Sequence, residues 1–431
     1  MSGAGSPART PGGEDVLEAM IASPGGREVL ELAQTRDDAA LVGGATRDLL
    51  LGHLPRELDV VLSGDAAGFA RELASSIGGD SAAVTVHDRF GTAVVDWPDG
   101  RVDLAERRAE TYSAPGALPD VRRGSEDEDL RRRDFTVNAI AVALGGPRRG
   151  QLYAVDHALD DLLAERLRVL HERSFIDDPT RLLRLARYGS RLGFDAEPLT
   201  ASLAAEALAA GALATVSRAR VGAELRLALA EPDPVSTLVA LDDLGVLAAL
   251  DSRLSFDERL ARRGLAMLPG DGREDVLLLA VLLARLAAEP QREAQAQIFD
   301  FLDRLEFTAG EREAVSRTAM LARPLAGKLA EADRPSQVRE AAASCTLEAV
   351  ALAGALGGEP STVRAIENAR EWLSSWHLVQ LEISGDDLLA AGIPAGPEIG
   401  RRLAIALSRR LDGELGDGRE AELRAALEAP A

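Results

Sequence analysis

Two carboxylates, Glu57 and Asp59, stand in the stretch of the chain where residue types and spacing most suggest chemistry, residues 41–62 (LVGGATRDLLLGHLPRELDVVL). They alternate with an apolar residue at the head of an apolar run, so on a strand both side chains would point to the same face. Carboxylate oxygens are the hard ligands that Mg²⁺ prefers. Asp103, in RVDLAERR, is the best candidate by position for a third carboxylate on a neighbouring strand. The pattern predicts a magnesium site on a small sheet.

Gly43 and Gly44 precede a predicted helix that begins near Thr46 in the same stretch. The first N–H groups of a helix lack partners within it and can bind phosphate, and Arg47 would add positive charge. Together with the carboxylates, this arrangement would support a two-metal displacement that releases pyrophosphate. A tight strand–helix turn flanked by surface acids is the alternative interpretation of the same residues.

A second segment, RRRDFTVNA (131–139), places three arginines before Asp134 at the start of a predicted helix carrying FTVNAIAVAL. Cations are unfavourable at a helix N-terminus unless an anion lies nearby. One arginine could therefore bind phosphate or ribose, with Asp134 accepting from a sugar hydroxyl. Alternatively, Asp134 caps the helix and the arginines are solvated.

A third segment, FIDDPTRLLRLAR (175–187), predicts a helix with Pro179 at its first position and Asp178 as its cap. Arginines follow at three- and four-residue spacing and would line one helix face; they are Arg181, Arg184, Arg187 and Arg191. This face is either a charge-rich solvent face or an anion channel. Asp178 and Arg181 could also read the hydrogen-bonding edge of a base.

The elements that must position these segments change character along the chain. Up to roughly residue 145 the patterns mix short β-like runs with amphipathic helices, and a mobile loop is expected over 108–129. After Leu152 nearly everything reads as helix, with breaks expected at prolines and glycine pairs, including Pro324 and Gly357-Gly358. A small mixed sheet would therefore hold the carboxylates, and helices would form the rest.

Composition restricts the class of protein. The net charge of −21 argues weakly against non-specific nucleic-acid binding. A single cysteine, Cys345, excludes an internal disulfide and any thiolate metal cluster. No apolar run is long enough to span a bilayer, and the polar residues 1–13 are expected to be a disordered tail rather than a signal peptide. A soluble cytoplasmic protein is expected.

In this order, the three segments resemble the class II tRNA nucleotidyltransferase and bacterial poly(A) polymerase family, within the polymerase-β-like superfamily. LVGGATRDLLLG resembles the signature GG-x-x-RD-x-x-LG, RRDFTVNAIA matches the ribose motif, and DDPTRLLRLARY resembles the ED-x-x-R templating helix. HDRFGTA, PGALPD and the terminal SGDDLLAAGIPAGPEIG are also similar to family segments. Two departures are Glu57, where the family usually has aspartate, and Asp177, where it has glutamate.

The resemblance implies an α+β protein whose polymerase-β-like nucleotidyltransferase head precedes an all-α neck, body and tail. The expected boundaries are a head over 14–155, a nucleotide-selecting neck over 156–230, a body over 231–370 and a tRNA-binding tail over 371–431. Residues 108–129 correspond to the family's flexible loop. No HD-type phosphohydrolase module is recognised.

The resemblance also implies residue roles. Glu57 and Asp59 would bind Mg²⁺, and Asp103 would join them as a catalytic carboxylate. The nucleotide would be bound by Gly43, Gly44, Arg47, Arg133, Asp134, Asn138, Asp178, Arg181, Arg184 and Arg187, with Asp178 and Arg181 pairing with the base. The implied activity is addition of C and/or A from CTP and ATP to the tRNA 3′ end. CCA addition, CC-only addition, A-only addition and poly(A) synthesis all remain open, as does a non-catalytic tRNA-binding protein.

Overall fold

The computed structural model describes residues 12–78, 81–87, 91–356 and 363–430. The chain divides into two compact units, residues 1–217 and 218–431. Most of the predicted N-terminal tail, the Asp88–Phe90 part of HDRFGTA and the Gly357-Gly358 break lie outside the described residues. Within them, no helix is long and apolar enough to cross a membrane.

The first unit is built on a seven-stranded sheet with the order β3-β4-β5-β2-β1-β8-β9. Its β2 and β5 run parallel, whereas β1 runs antiparallel to both β2 and β8. Two short sheets, β6-β7 and β10-β11, stand apart from it. The strands are β1 (Ala40–Val42), β2 (Leu58–Leu62), β3 (Ala83–His87), β4 (Thr92–Trp97), β5 (Gly100–Glu106), β6 (Arg108–Thr111), β7 (Asp120–Arg123), β8 (Ile140–Ala143), β9 (Leu152–Ala154), β10 (Arg166–Leu167) and β11 (Asp195–Ala196).

Helices cover the sheet because two of its inner strands, β1 and β8, are apolar along their whole length. All three residues of β1 and all four of β8 are buried, as expected for strands with neighbours on both edges and side chains on both faces. The helices of this unit are α1 (Gly13–Met20), α2 (Gly26–Ala33), α3 (Gly43–Leu50), α4 (Ala66–Ile77), α5 (Glu126–Arg131), α6 (Ala158–Leu163), α7 (Ser174–Asp177), α8 (Thr180–Leu192) and α9 (Pro198–Ala209).

Two predictions for this unit are wrong. The segment after Asp134 is not a helix: a 3₁₀ turn over Thr136–Asn138 leads into β8, which pairs with β1 and β9. An unbroken apolar run fits a buried helix and a central strand equally well, and pairing with distant strands decides between them. The segment 108–129, predicted as a mobile loop, contains regular structure: β6 and β7 form an antiparallel hairpin, and α5 begins at Glu126.

The second unit is helical in every described element of regular structure, apart from 3₁₀ turns. Helix α14 is buried at every position from Val276 to Leu282, and α16 and α18 pack against it. The helices are α10 (Arg218–Leu229), α11 (Pro234–Asp243), α12 (Val246–Leu250), α13 (Glu258–Met267), α14 (Glu274–Leu282), α15 (Gln291–Arg304), α16 (Ala309–Glu331), α17 (Pro335–Ala342), α18 (Leu347–Ala355), α19 (Val363–Ser374), α20 (Gly385–Ala390), α21 (Pro397–Leu411) and α22 (Arg419–Leu427).

The break expected at Pro324 is wrong, because α16 continues through this residue. Pro324 is exposed, so water can bind the carbonyl that lacks its helical N–H partner.

The last three helices have a small apolar cluster of their own, formed by Ile383, Leu388, Ala406, Ala425 and Ala426. The architecture predicted for the chain, a mixed-sheet head followed by a helical remainder, is confirmed.

Candidate active site

The structure brings Glu57, Asp59 and Asp103 together at one end of the sheet. Strands β2 and β5 are parallel neighbours in a register that sets Asp59 opposite Asp103, so both side chains lie on the same face. Glu57 precedes β2 by one residue and keeps the alternation. One carboxylate oxygen from each residue lies within 4.8 Å of the other two. Such a triangle of hard oxygen atoms can hold a divalent cation.

Burial and neighbouring charges raise the pKa values of two carboxyl groups in this cluster, Asp59 and Glu57. Burial raises the pKa of Asp59 to about 7; the nearby positive charge of Arg133 opposes the rise, and the negative charges of Glu57 and Asp103 add to it. Burial, followed by the charge of Asp103, also raises the pKa of Glu57. Arg101 offsets part of the charge, with its Nε 2.8 Å from Asp103 Oδ1 and 3.4 Å from Glu57 Oε2. A cation bound here would favour the ionised forms of Asp59 and Glu57.

Helix α3 begins at Gly43, not near Thr46 as predicted. Gly43 has φ +68°, and a Cβ atom there would lie 2.9 Å from Arg133 Nη1 and 3.2 Å from Asp59 Oδ2. Only glycine combines this left-handed backbone with such a close approach. The backbone N–H of Ala45, in the first turn, acts to lower the pKa of Asp59 and so lies near its carboxylate. The helix N-terminus, the arginine and the carboxylate therefore meet at one point.

Arg47 is almost fully buried and contacts Asn138, a residue of the segment RRRDFTVNA. Its Nη1 donates to Asn138 Oδ1 at 2.5 Å, and its Nη2 donates to Asp48 Oδ1 at 2.6 Å. Asn138 Nδ2 in turn donates to Asp134 Oδ1 at 2.9 Å. Arg47 thus fixes the orientation of the Asn138 amide, which fixes the Asp134 carboxylate.

Asp134 is buried but ionised. Burial alone would raise the pKa of Asp134, but the positive charges of Arg184 and Arg181 and the hydrogen bond from Asn138 hold it below its usual value. Arg184 Nη1 lies 3.7 Å from Asp134 Oδ2. Asp134 also accepts from the N–H of Phe135, so it does stabilise the start of the following turn.

Asp129 is a buried residue of this site that the sequence analysis did not single out. Its carboxylate accepts from Arg133 Nη2 at 3.0 Å and from Arg132 Nη2 at 2.8 Å. Burial opposes ionisation, but the two arginines lower the pKa of Asp129 below its usual value. The only sequence signal was its position in the acidic run SEDEDL, four residues before Arg133, which is one helical turn. Asp129 therefore positions the arginine that lies beside Asp59.

Asp178 and Arg181 lie at the start of α8, which begins at Thr180, one residue later than predicted. Pro179 occupies the cap position, but the Asp178 carboxylate still accepts from the Thr180 N–H at 3.1 Å and from its hydroxyl at 2.6 Å. Arg181 is buried and donates through Nη1 to Ser174 Oγ at 2.6 Å and through Nη2 to the Arg132 carbonyl at 2.7 Å. Both proposed base-reading groups are thus held by protein partners.

The four arginines of α8 do not form one solvated face. Arg181 and Arg187 are buried, whereas Arg191 is exposed. The Arg187 and Arg191 guanidinium carbons lie 5.1 and 4.9 Å from the ring centroid of Tyr188, within the range of cation–π attraction. This arrangement excludes the solvent-face interpretation for Arg181 and Arg187. Arg184 and Arg181 place positive charge beside Asp134.

Comparison with known proteins finds relatives of this chain. The family model of the Poly A polymerase head domain matches residues 39–168. The chain is 43% identical over 221 residues to the A-adding tRNA nucleotidyltransferase of Halalkalibacterium halodurans, a match that covers 51% of each chain. The chain therefore spans, in this match, about half the length of that relative.

Two matches extend over nearly the whole chain. The CC-adding tRNA nucleotidyltransferase of Deinococcus radiodurans is 32% identical over 430 residues, covering 95% of this chain and 99% of the relative. The structure of the Thermotoga maritima CCA-adding enzyme complexed with tRNA superposes with a TM-score of 0.75 and 25% identity, covering 96% of this chain and 98% of that one. The chain therefore belongs to the class II tRNA nucleotidyltransferase family.

Proposed function

We propose that this protein is a magnesium-dependent nucleotidyltransferase that adds C and/or A from CTP and ATP to the 3′ end of tRNA. The observation that carries the proposal is the carboxylate cluster of Glu57, Asp59 and Asp103, which lies beside Arg133 and the N-terminus of α3. A cation site next to a phosphate-binding helix end suits transfer from a nucleoside triphosphate. A tRNA substrate implies a cytoplasmic protein.

The donor set fits Mg²⁺. The three carboxylates supply oxygen ligands only, and burial, with the charges of Glu57 and Asp103, raises the pKa of Asp59 to about 7, so a bound cation would offset the cost of ionising it there. When bound, Mg²⁺ would supply Lewis-acid stabilisation of the attacking 3′-hydroxyl and of the departing pyrophosphate. Glu57, Asp59 and Asp103 would hold it.

The remaining residues would bind and orient the nucleotide. The N–H groups at Gly43 and Gly44 and the guanidinium of Arg133 would contact the triphosphate, since they meet at the end of α3 beside Asp59. Asp134 would accept from a ribose hydroxyl, because it is ionised and held by Asn138. The RNA 3′-hydroxyl oxygen would then attack the α-phosphorus to form a phosphodiester and release pyrophosphate.

Nucleotide choice would come from side chains rather than from a nucleic-acid template. Asp178 and Arg181 present an acceptor and a donor at the start of α8, and such a pair can recognise the Watson–Crick edge of cytosine or adenine. Arg184 and Arg187 would add phosphate or base contacts. Arg47 would support this group through Asn138, a role consistent with its burial.

The test of this proposal uses tRNA transcripts that lack A, CA or CCA, each incubated with one labelled nucleoside triphosphate and Mg²⁺. Addition of C to the transcript lacking CCA and of A to the transcript lacking A would support full CCA addition. Restriction to one of these steps would identify a CC-adding or an A-adding enzyme, the two activities named among its relatives. Long A-tracts on unstructured RNA would instead identify a poly(A) polymerase.

A matched pair of variants separates this enzyme from a tRNA-binding protein without catalytic activity. Asp59→Asn removes the central carboxylate and should abolish incorporation while tRNA binding persists. Asp96→Asn removes a carboxylate on neighbouring β4 that lies 3.6 Å from Arg101 but outside the cluster, and it should retain activity. Incorporation that survives Asp59→Asn would contradict the proposed site.

A further inference from the structure

Ser174 has a fully buried hydroxyl group, and the proposed mechanism gives this group no role. It is the first residue of α7, and its side chain has no exposure to solvent. Its Oγ accepts a hydrogen bond of 2.6 Å from Arg181 Nη1, across seven residues of sequence. A buried hydroxyl that accepts from a buried guanidinium belongs to a specific arrangement, because both groups would be costly to bury unpaired.

The Arg181 guanidinium is held at two points. Ser174 Oγ accepts from Nη1, and the Arg132 carbonyl accepts from Nη2 at 2.7 Å. The guanidinium is planar and rigid, so two acceptors on different nitrogens fix both its position and the direction of its plane. Among the described residues, the Arg181 guanidinium donates to Ser174 and to the Arg132 carbonyl. Its other N–H groups can donate to a ligand.

The orientation of this plane matters for the choice of nucleotide. Cytosine and uracil differ at the Watson–Crick edge by exchange of a donor and an acceptor, as adenine and guanine do, and hydrogen bonds discriminate only when their directions are set. An arginine that can rotate would find acceptors on the wrong base as well. The Arg132 anchor is a backbone carbonyl, so Ser174 is the side chain on which this fixation depends.

We propose that Ser174 is a specificity-determining positioning residue, which sets the Arg181 guanidinium plane and thereby the selection of CTP and ATP over UTP and GTP. This inference rests on the proposed function. Ser174 would not touch the nucleotide, because it is buried behind Arg181. Its removal should therefore weaken discrimination more than it slows addition of the correct nucleotide.

The test compares kcat/KM for each correct nucleotide with that for its wrong counterpart, CTP against UTP and ATP against GTP, on the transcripts described above. Ser174→Ala should lower the discrimination ratio about tenfold for whichever nucleotide the unchanged enzyme adds. Ser174→Cys, which keeps the packing but offers a weaker acceptor, should give an intermediate loss. The matched control is Ser23→Ala, because Ser23 is a buried serine whose hydroxyl has no hydrogen-bond partner among the described residues.

A double-mutant cycle distinguishes positioning from a general structural effect. In an Arg181→Ala background, Ser174→Ala should change the discrimination ratio less than twofold, because the group that it positions is gone. A tenfold loss that persists without Arg181, or an unchanged ratio in both Ser174 variants, would overturn the inference. If the unchanged enzyme adds neither C nor A to any transcript, the proposed function itself fails and this inference fails with it.

Discussion

The raised pKa of Asp59 predicts that this carboxyl makes the metal-free head less stable as the pH rises. The ordinary pKa of 3.8 applies in the unfolded chain, and the folded value is about 7. The folded state therefore binds the proton more tightly, so the stabilisation is complete below the unfolded pKa and is lost as pH rises through the folded pKa. At about 1.4 kcal/mol per pKa unit, about 2 kcal/mol is lost between about pH 5.5 and about pH 8.

Asp59→Asn removes this titration, so the stability of the variant relative to the unchanged protein should increase by about 2 kcal/mol over the same interval. Hydrogen exchange of the β2 and β5 peptides, corrected for intrinsic exchange rates, measures the free energy of opening in this unit alone. Mg²⁺ should reverse the trend by stabilising the unchanged protein at about pH 8 but not the variant, because metal binding displaces the proton.

Asp96→Asn is the control, since its carboxylate lies outside the cluster and the variant should keep the pH dependence of the unchanged protein. A stability difference between Asp59→Asn and the unchanged protein that stays constant across this pH interval would refute the reasoning. It would mean that Asp59 is ionised in the metal-free state and that burial and its acidic neighbours do not raise its pKa.

Three further predictions follow from particular contacts. Glu57→Asp should keep most of the incorporation activity, because the carboxylate remains, whereas Glu57→Gln should lower it roughly 100-fold; equal losses would indicate that Glu57 is not a metal ligand. In thermal unfolding, Gly116→Ala should lower the free energy of unfolding by about 1–2 kcal/mol more than Gly52→Ala. Both glycines have positive φ, but only at Gly116 would the added Cβ atom meet a neighbour, Thr215 Oγ1, at 2.3 Å. Glu422→Gln should lower the free energy of unfolding of the C-terminal helices by about 3 kcal/mol in urea titrations. The reason is that this buried carboxylate accepts from backbone N–H groups and pairs with an arginine. Glu428 is exposed, so Glu428→Gln should change the stability little.

The local parts of the site were predictable from the sequence because their geometry depends on neighbours in the chain. The alternation of Glu57 and Asp59 places both on one face of any extended segment. The glycine pair at the start of a helix predicts N–H groups that lack partners within the helix, whatever the rest of the fold. The mixed-sheet head and helical remainder also follow from periodicity, which reflects the side of each element that must be buried.

The wrong predictions concern segments whose structure depends on distant partners. The apolar run Ile140–Ala143 became a strand because β1 and β9 pair with it, and no spacing within the run shows this. The hairpin of β6 and β7 was not predicted, because its segment is rich in glycine, proline and charged residues. Its loop is held by a hydrogen bond of 3.2 Å from the Gly116 N–H to the Ile176 carbonyl, a contact across the fold.

The sequence by itself determined which chemistry this protein has available: alternating carboxylates, a glycine-opened helix and an aspartate–arginine pair, each set by spacing of a few residues. Only the tertiary structure decided how these groups combine. The parallel register of β2 and β5 sets Asp103 beside Asp59, and burial sets the pKa of Asp59 near 7. The tertiary structure also decided that Arg181 is fixed by Ser174 rather than solvated. Register, burial and hydrogen bonds across the fold arise from contacts between distant segments, which local spacing cannot specify.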